Sequence, residues 1–217
     1  VPRNIALING LLPILAIHLT YLISAAQGHV PWCFPYLESC TSISATGRHG
    51  SAFYVFKGTM IPAAVCLMMF WYLMGRWLGK LGDSKAMTRT VFVLGVIGAI
   101  FLIVYAVALG AAGDAMRLQR RIGIILYFTL TYLPQLLVVW RISRRLPSDP
   151  GRPWLLGLST TALAVGVATI GLDLSIDNYD NYEDAFEWIL ALLIHLWFLV
   201  IAVTWHRTGF KVKYVVG

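Results

Sequence analysis

Apolar residues fall in six long blocks separated by short polar stretches, at about 5–26, 53–75, 90–112, 122–140, 154–173 and 186–205. A helix that crosses a bilayer needs roughly 20 mostly apolar residues, and each block is about that long. The pattern therefore predicts six membrane-spanning helices that use most of the chain and leave no room for a separate soluble domain. Pro13, Pro62 and Pro134 interrupt the first, second and fourth blocks, where proline frees a carbonyl and bends the rod. The third block carries Gly95, Gly98, Ala106 and Gly110, and the fifth carries Gly157, Ala162, Gly166 and Gly171. Small residues at such spacing let helix backbones approach closely, so both blocks are expected in the bundle interior. Trp71, Trp77, Trp140, Trp154 and Trp205 fall near one set of block ends, where indoles favour the membrane interface.

Composition agrees with this reading. Of 217 residues, 59% are hydrophobic and 12% charged, with a mean hydropathy of +0.73; a soluble domain carries about 25% charged residues. The fold class is all-α, a polytopic six-transmembrane-helix bundle forming one domain over 1–217. The net charge of +7 would suggest nucleic acid if it were clustered, but it follows the loops instead. With the N-terminus cytoplasmic, the inner segments hold Arg3, Arg76, Lys80, Lys85, Arg89, Arg141, Arg144, Arg145, Arg152, Arg207, Lys211 and Lys213, twelve of seventeen basic residues. That is the positive-inside bias, and it predicts both termini cytoplasmic in a plasma (inner) membrane. The first block is long for a signal-peptide core and is read as a retained span.

The loop after the first span then lies outside, where an oxidising compartment permits a Cys33–Cys40 disulfide. Cys66, inside the second span, reads as a packing residue. The same loop contains "TSISATGRHG", Thr41 to Gly50. Its small hydroxyl and glycine residues leave backbone donors accessible, and Arg48 and Lys57 add positive charge near the headgroup level, which suits a phosphate. The plainer alternative is a disulfide-tied turn that caps the second span through Ser51.

The other outer linker holds Asp173, Asp177, Asp180, Asp184 and Glu187 at three- and four-residue spacing, one face if the linker is helical. It reads as a hydrated acidic loop, as a cation site of non-standard spacing, or as the ion-pair partner of Arg48, Lys57, Arg117, Arg120 and Arg121 in a lid. His18 and His195 lie inside apolar spans, both about 12–13 Å below the outer surface at 1.5 Å per residue. Intramembrane ionisable residues are functional candidates, and each histidine is a candidate catalytic base; the alternative is a neutral imidazole bonded to a backbone carbonyl. Two further alternatives are axial haem ligation by the pair and a catalytic zinc held with Asp173 and, from the loop, His29 or His49. Neither has motif support, so no cofactor and no metal is assigned. There is no glycine-rich phosphate loop and no internal repeat.

"SISATG" followed by "YVFK" (Tyr54 to Lys57), "PWCFPYLES" (Pro31 to Ser39) and Phe186-Glu187-Trp188 resemble elements of the FGF-receptor-activating-protein/DRAM/Sfk family. The likeness is nearest to its post-GPI-attachment lipid-remodelling branch, and the short loops suggest a prokaryotic relative. The resemblance implies six spans, a role in handling or organising membrane lipids, and functional weight at Ser42, Ser44, Gly47, Lys57 and Glu187. Lys57 stands where the family commonly has arginine, which removes a bidentate phosphate fork.

The reading that results is an integral membrane protein that binds or remodels a lipid or glycolipid. Its outward headgroup site is expected to comprise Ser42, Ser44, Gly47, Arg48, Lys57 and Glu187, with the acidic linker and His18 and His195 nearby. The alternative is a non-enzymatic membrane scaffold with a membrane-protein partner; an intramembrane metal-dependent hydrolase and a di-histidine haem protein rank behind both.

Overall fold

A computed structural model describes residues 1–175 and 179–212, with the side chains of Asp180 and Asn181 outside the description. Among the described residues eight helices are formed: α1 (Pro2–Ala26), α2 (Pro35–Glu38), α3 (Ile43–Thr46), α4 (Gly50–Lys80), α5 (Lys85–Ala108), α6 (Asp114–Arg145), α7 (Arg152–Ser175) and α8 (Asp180–Arg207). Six of them are long and apolar enough to cross a membrane, as the blocks predict. They outrun the apolar blocks at most ends, because a helix can project beyond the hydrocarbon. α5 is the exception and stops at Ala108, since Gly110 and Gly113 take positive φ of 79° and 98°, a conformation that ends helices and suits glycine. The short helices α2 and α3 carry no long-period signal and were not foreseen.

Neighbours in the bundle run α6–α5–α4–α1–α8–α7, with α6 and α7 also touching. The three intrahelical prolines sit within continuous α1, α4 and α6. Even numbers of spans place both termini at one end, called here the terminal end; the α1–α4, α5–α6 and α7–α8 connections form the far end.

The core is densest near the terminal end. Phe70 stacks on Trp205 and meets Phe198 edge-on, and Trp77 and Phe210 complete the cluster. Trp71, Trp77 and Trp205 are at most 2% exposed, so they are core residues and not interface anchors. Their spacing at span ends could not separate these roles. Trp140 and Trp154 are exposed, as interfacial indoles are.

The two small-residue blocks also part company. On α5, a Cβ at Gly95 would lie 2.2 Å from Trp71, and one at Gly98 would lie 3.1 Å from the Leu130 backbone. On α7, Gly157, Gly166 and Gly171 have nothing within 4 Å, and only Leu155, Ser159 and Ala162 are buried. The expectation of an interior fifth span is therefore corrected: α7 is the most peripheral helix.

Charges at the terminal end are organised by one acid. The Asp83 side chain, fully buried in the turn after α4, accepts from Arg141 and from Arg145 at 3.2 Å, while Arg145 also donates to the Gly82 carbonyl. This clamps the α4–α5 turn to α6.

Candidate functional site

The "SISATG" segment forms the single turn α3, closed by local bonds. Ser42 is the N-cap and its hydroxyl accepts from the Ala45 amide at 3.1 Å, while Thr46 donates back to the Ile43 carbonyl and meets Thr20 of α1. Gly47 follows because there is no room for more: a Cβ would stand 2.7 Å from the Phe56 ring and 2.9 Å from Leu109. Its part is packing. Ser44 contacts the Ser42 hydroxyl at 3.1 Å and accepts from the exposed Arg48 guanidinium at 2.7 Å.

The first turns of α8 are stitched to this loop by three bonds. Glu187 accepts from the Ile43 amide at 3.2 Å, the Ala185 amide donates to Ser39, and the Trp188 indole donates to the Thr41 carbonyl at 2.9 Å. The bond to Glu187 satisfies the Ile43 amide in the first turn of α3, where a helix leaves its donors open. Ser42, Ser44, Arg48 and Glu187 thus come together from positions more than 140 residues apart in the chain.

Lys57 does not join them. Its ammonium donates to the Val107 carbonyl at 3.0 Å and lies 4.2 Å from the centre of the Phe53 ring, where it satisfies a carbonyl at the last turn of α5. Nor does Ser51 cap α4 by itself: His49 is the N-cap without a side-chain bond, and Gln27 both accepts from the Ser51 amide and donates to its hydroxyl.

Beneath α3 lies an internal cavity of about 30 Å³, room for one or two waters. Glu187, Ala191 and His195 line it at intervals of four residues, one face of α8, opposite Pro13, Phe56, Tyr105 and Tyr127. Alanine in the middle of that face keeps the slot open between two polar ends. The Tyr105 hydroxyl is buried with no hydrogen-bond partner, and at the lower end Tyr127 and His195 Nε2 are 3.2 Å apart. These tyrosines were missed by the sequence reading, since a tyrosine inside an apolar block leaves the hydropathy pattern intact.

His195 Nδ1 bonds the Ala191 carbonyl at 2.6 Å, and His18 Nδ1 bonds the Ile14 carbonyl at 2.7 Å. Tyr36 of α2 meets His18 Nε2 at 3.1 Å, and burial pushes the Tyr36 phenol up, which keeps it a donor. The histidines do not share a level. His18 packs on Trp188, seven residues and about 10 Å along α8 from His195, and only His195 lines the cavity. With both ring nitrogens of each already engaged, the face-to-face arrangement that axial haem ligation needs does not fit. Among the described residues no group of three or more metal-ligating side chains comes together.

Asp173 lies exposed on α7, and Asp184 is half-buried on α8, one turn before Glu187; Asp177 and the Asp180 side chain lie outside the described residues. Among the described residues the acidic linker makes no ion pair with the basic residues of this end. Arg117 pairs with Asp114 at 3.8 Å and Arg120 donates to the Ala108 and Ala111 carbonyls. The described contacts between the loop and α8 are the hydrogen bonds at Ser39, Thr41 and Ile43. Cys33 and Cys40 are joined in a disulfide, and Cys66 is free.

No curated protein and no solved structure matches this chain. The family model described as Frag1/DRAM/Sfk1/Cwh43P N-terminal domain matches residues 3–207. The motifs around α3 and the start of α8 that carry the resemblance are the same segments that the fold stitches together at the far end, and the chain is a multi-pass membrane protein belonging to the Frag1/DRAM/Sfk1/Cwh43P family.

Proposed function

We propose that the far end faces away from the cytoplasm, in the plasma membrane, and that it binds the headgroup of a membrane lipid or glycolipid at α3. The observation that carries this reading is the convergence of Ser42, Ser44, Arg48 and Glu187 above a cavity that holds an unpartnered tyrosine hydroxyl. Arg48 and the two hydroxyls supply donors for a phosphate. Glu187 and Tyr105 supply an acceptor and a hydroxyl for a donor group on the same headgroup, a sugar hydroxyl or an ammonium. The cytoplasmic terminal end follows from its basic loops.

The reading is one of binding. Tyr127 and His195 offer an acid–base pair, but among the described residues no serine, threonine or cysteine side chain bonds either imidazole, so the site is assigned recognition and no reaction. The test is native mass spectrometry of gently solubilised protein. A phospholipid or glycolipid should be retained by the native chain and lost at least several-fold from Arg48→Gln and from Glu187→Gln. Native protein that carries no lipid, or variants that retain it unchanged, would end the reading. A second reading, a scaffold for another membrane protein, draws on the open face of α7; it is favoured if a protein co-purifies while lipid does not.

A further inference from the structure

The connection between α1 and α3 contains eight consecutive residues, Val30 to Leu37, without a charged side chain. It does not stand clear of the bundle. Tyr21, five residues inside the far end of α1, accepts from the Cys33 amide at 2.8 Å and donates to the Cys33 carbonyl at 2.7 Å. Tyr36 reaches His18, three residues deeper. Helical side chains lean toward the N-terminus of their helix, which on α1 means away from the far end. The two attachment points therefore sit about 7 and 12 Å inside the helix end, at 1.5 Å per residue. Tyr36 also packs on Trp188, so α2 lies against α8 and reaches α1 through the Tyr36 side chain.

Held there, the loop turns its largest apolar side chains outward. Trp32, Phe34 and Leu37 are 65%, 55% and 81% exposed. On α1, to which the loop is fixed, Leu15, Leu19 and Leu22 are also exposed and recur at helical spacing as one apolar stripe.

Part of the loop's backbone is satisfied within the protein. Tyr21 satisfies both polar groups of Cys33, the Phe34 amide donates to Glu38 at 2.6 Å, and the Phe34 carbonyl accepts from the Leu37 and Glu38 amides. Pro31 and Pro35 bring no amide hydrogen. Among the described residues the Val30, Trp32 and Ser39 amides meet no protein acceptor, which suits the hydrated boundary of the leaflet and not its hydrocarbon centre. The single acid of the segment, Glu38, is turned back onto its own chain. The disulfide from Cys33 to Cys40 closes the loop.

We propose that the disulfide-tied loop 30–40 is an interfacial wedge, seated in the leaflet at the far end with Trp32, Phe34 and Leu37 among lipid at the boundary of headgroups and acyl chains. Aromatic and leucine side chains favour that layer. The proposal stands on different residues from the headgroup site and holds whether or not that site binds a lipid.

The experiment places a nitroxide at position 37 by Leu37→Cys in a Cys66→Ala background, with the native disulfide intact and the protein in phospholipid nanodiscs. Collisions with oxygen, which concentrates in hydrocarbon, are compared with collisions with a water-soluble nickel chelate, and a label at the exposed Asp114 serves as the aqueous reference. The wedge predicts an oxygen-to-nickel ratio several-fold above the reference. A ratio equal to the reference would place the loop in water, and a label shielded from both reagents would mean that protein covers the patch; either result overturns the proposal. An unlabelled check is the fluorescence difference between native and Trp32→Phe protein. Brominated phospholipid should quench it and aqueous iodide should not, and the reverse order would overturn the proposal independently of any label.

Discussion

His18 and His195 are built to one plan: the Nδ1 hydrogen goes to the carbonyl four residues earlier and Nε2 faces a tyrosine hydroxyl. That plan fixes the tautomer, makes each ring an acceptor for a phenol, and leaves neither with a counter-ion. The bond to a backbone carbonyl that the plainer of the two readings expects is present at each histidine. Interhelical side-chain bonds in membranes contribute about 0.6 kcal/mol on average. Tyr127→Phe should therefore lower unfolding stability by about that amount, and the loss should vanish in a His195→Phe background, where the acceptor is already gone. A double-mutant cycle in detergent checks this; full additivity would show that the pair is not formed. The histidines were visible in the sequence because ionisable residues stand out in apolar blocks. Their partners were not, because tyrosine is compatible with the block, and pairing across 68 residues of chain has no local signature.

Small residues recur along both α5 and α7, yet one helix is clasped and the other is open. Spacing states that a close approach is possible; only a partner makes it real. Gly98 meets the α6 backbone at Leu130, which cannot rotate aside, so Gly98→Val should cost about 1–3 kcal/mol through overpacking. Gly166 on α7 meets nothing, and Gly166→Val should change stability by no more than about 0.5 kcal/mol. Thermal or denaturant unfolding of the two variants side by side measures the contrast, and equal losses would place an unseen neighbour against α7. The six long helices were legible from block length alone. Their ends were less so, since caps such as Ser84 on α5 lie outside the apolar run. α2 and α3 were not legible, because four-residue helices held by tertiary bonds have no periodicity to read.

Across the whole molecule the two ends are fastened by different chemistry. At the terminal end Asp83 gathers Arg141 and Arg145; the positive-inside count registered the arginines and passed over the one acid that organises them. Asp83→Asn removes the charge but keeps the shape, leaving two guanidinium groups without a counter-ion. The variant should unfold at lower temperature and be cleaved faster by a protease in the 81–84 turn, and an unchanged cleavage rate would show the clamp to be dispensable.

At the far end fastening falls to neutral donors and acceptors between the loop and α8 and to the covalent link that closes the loop, Cys33 to Cys40. Cys40 is one residue from the carbonyl that takes the Trp188 indole and two from Ser42. Closing that link requires an electron acceptor outside the polypeptide, whereas the six helices need only a bilayer. Insertion and completion are thus separable in time: the helices can span the bilayer before the loop that leads into α3 is closed by oxidation.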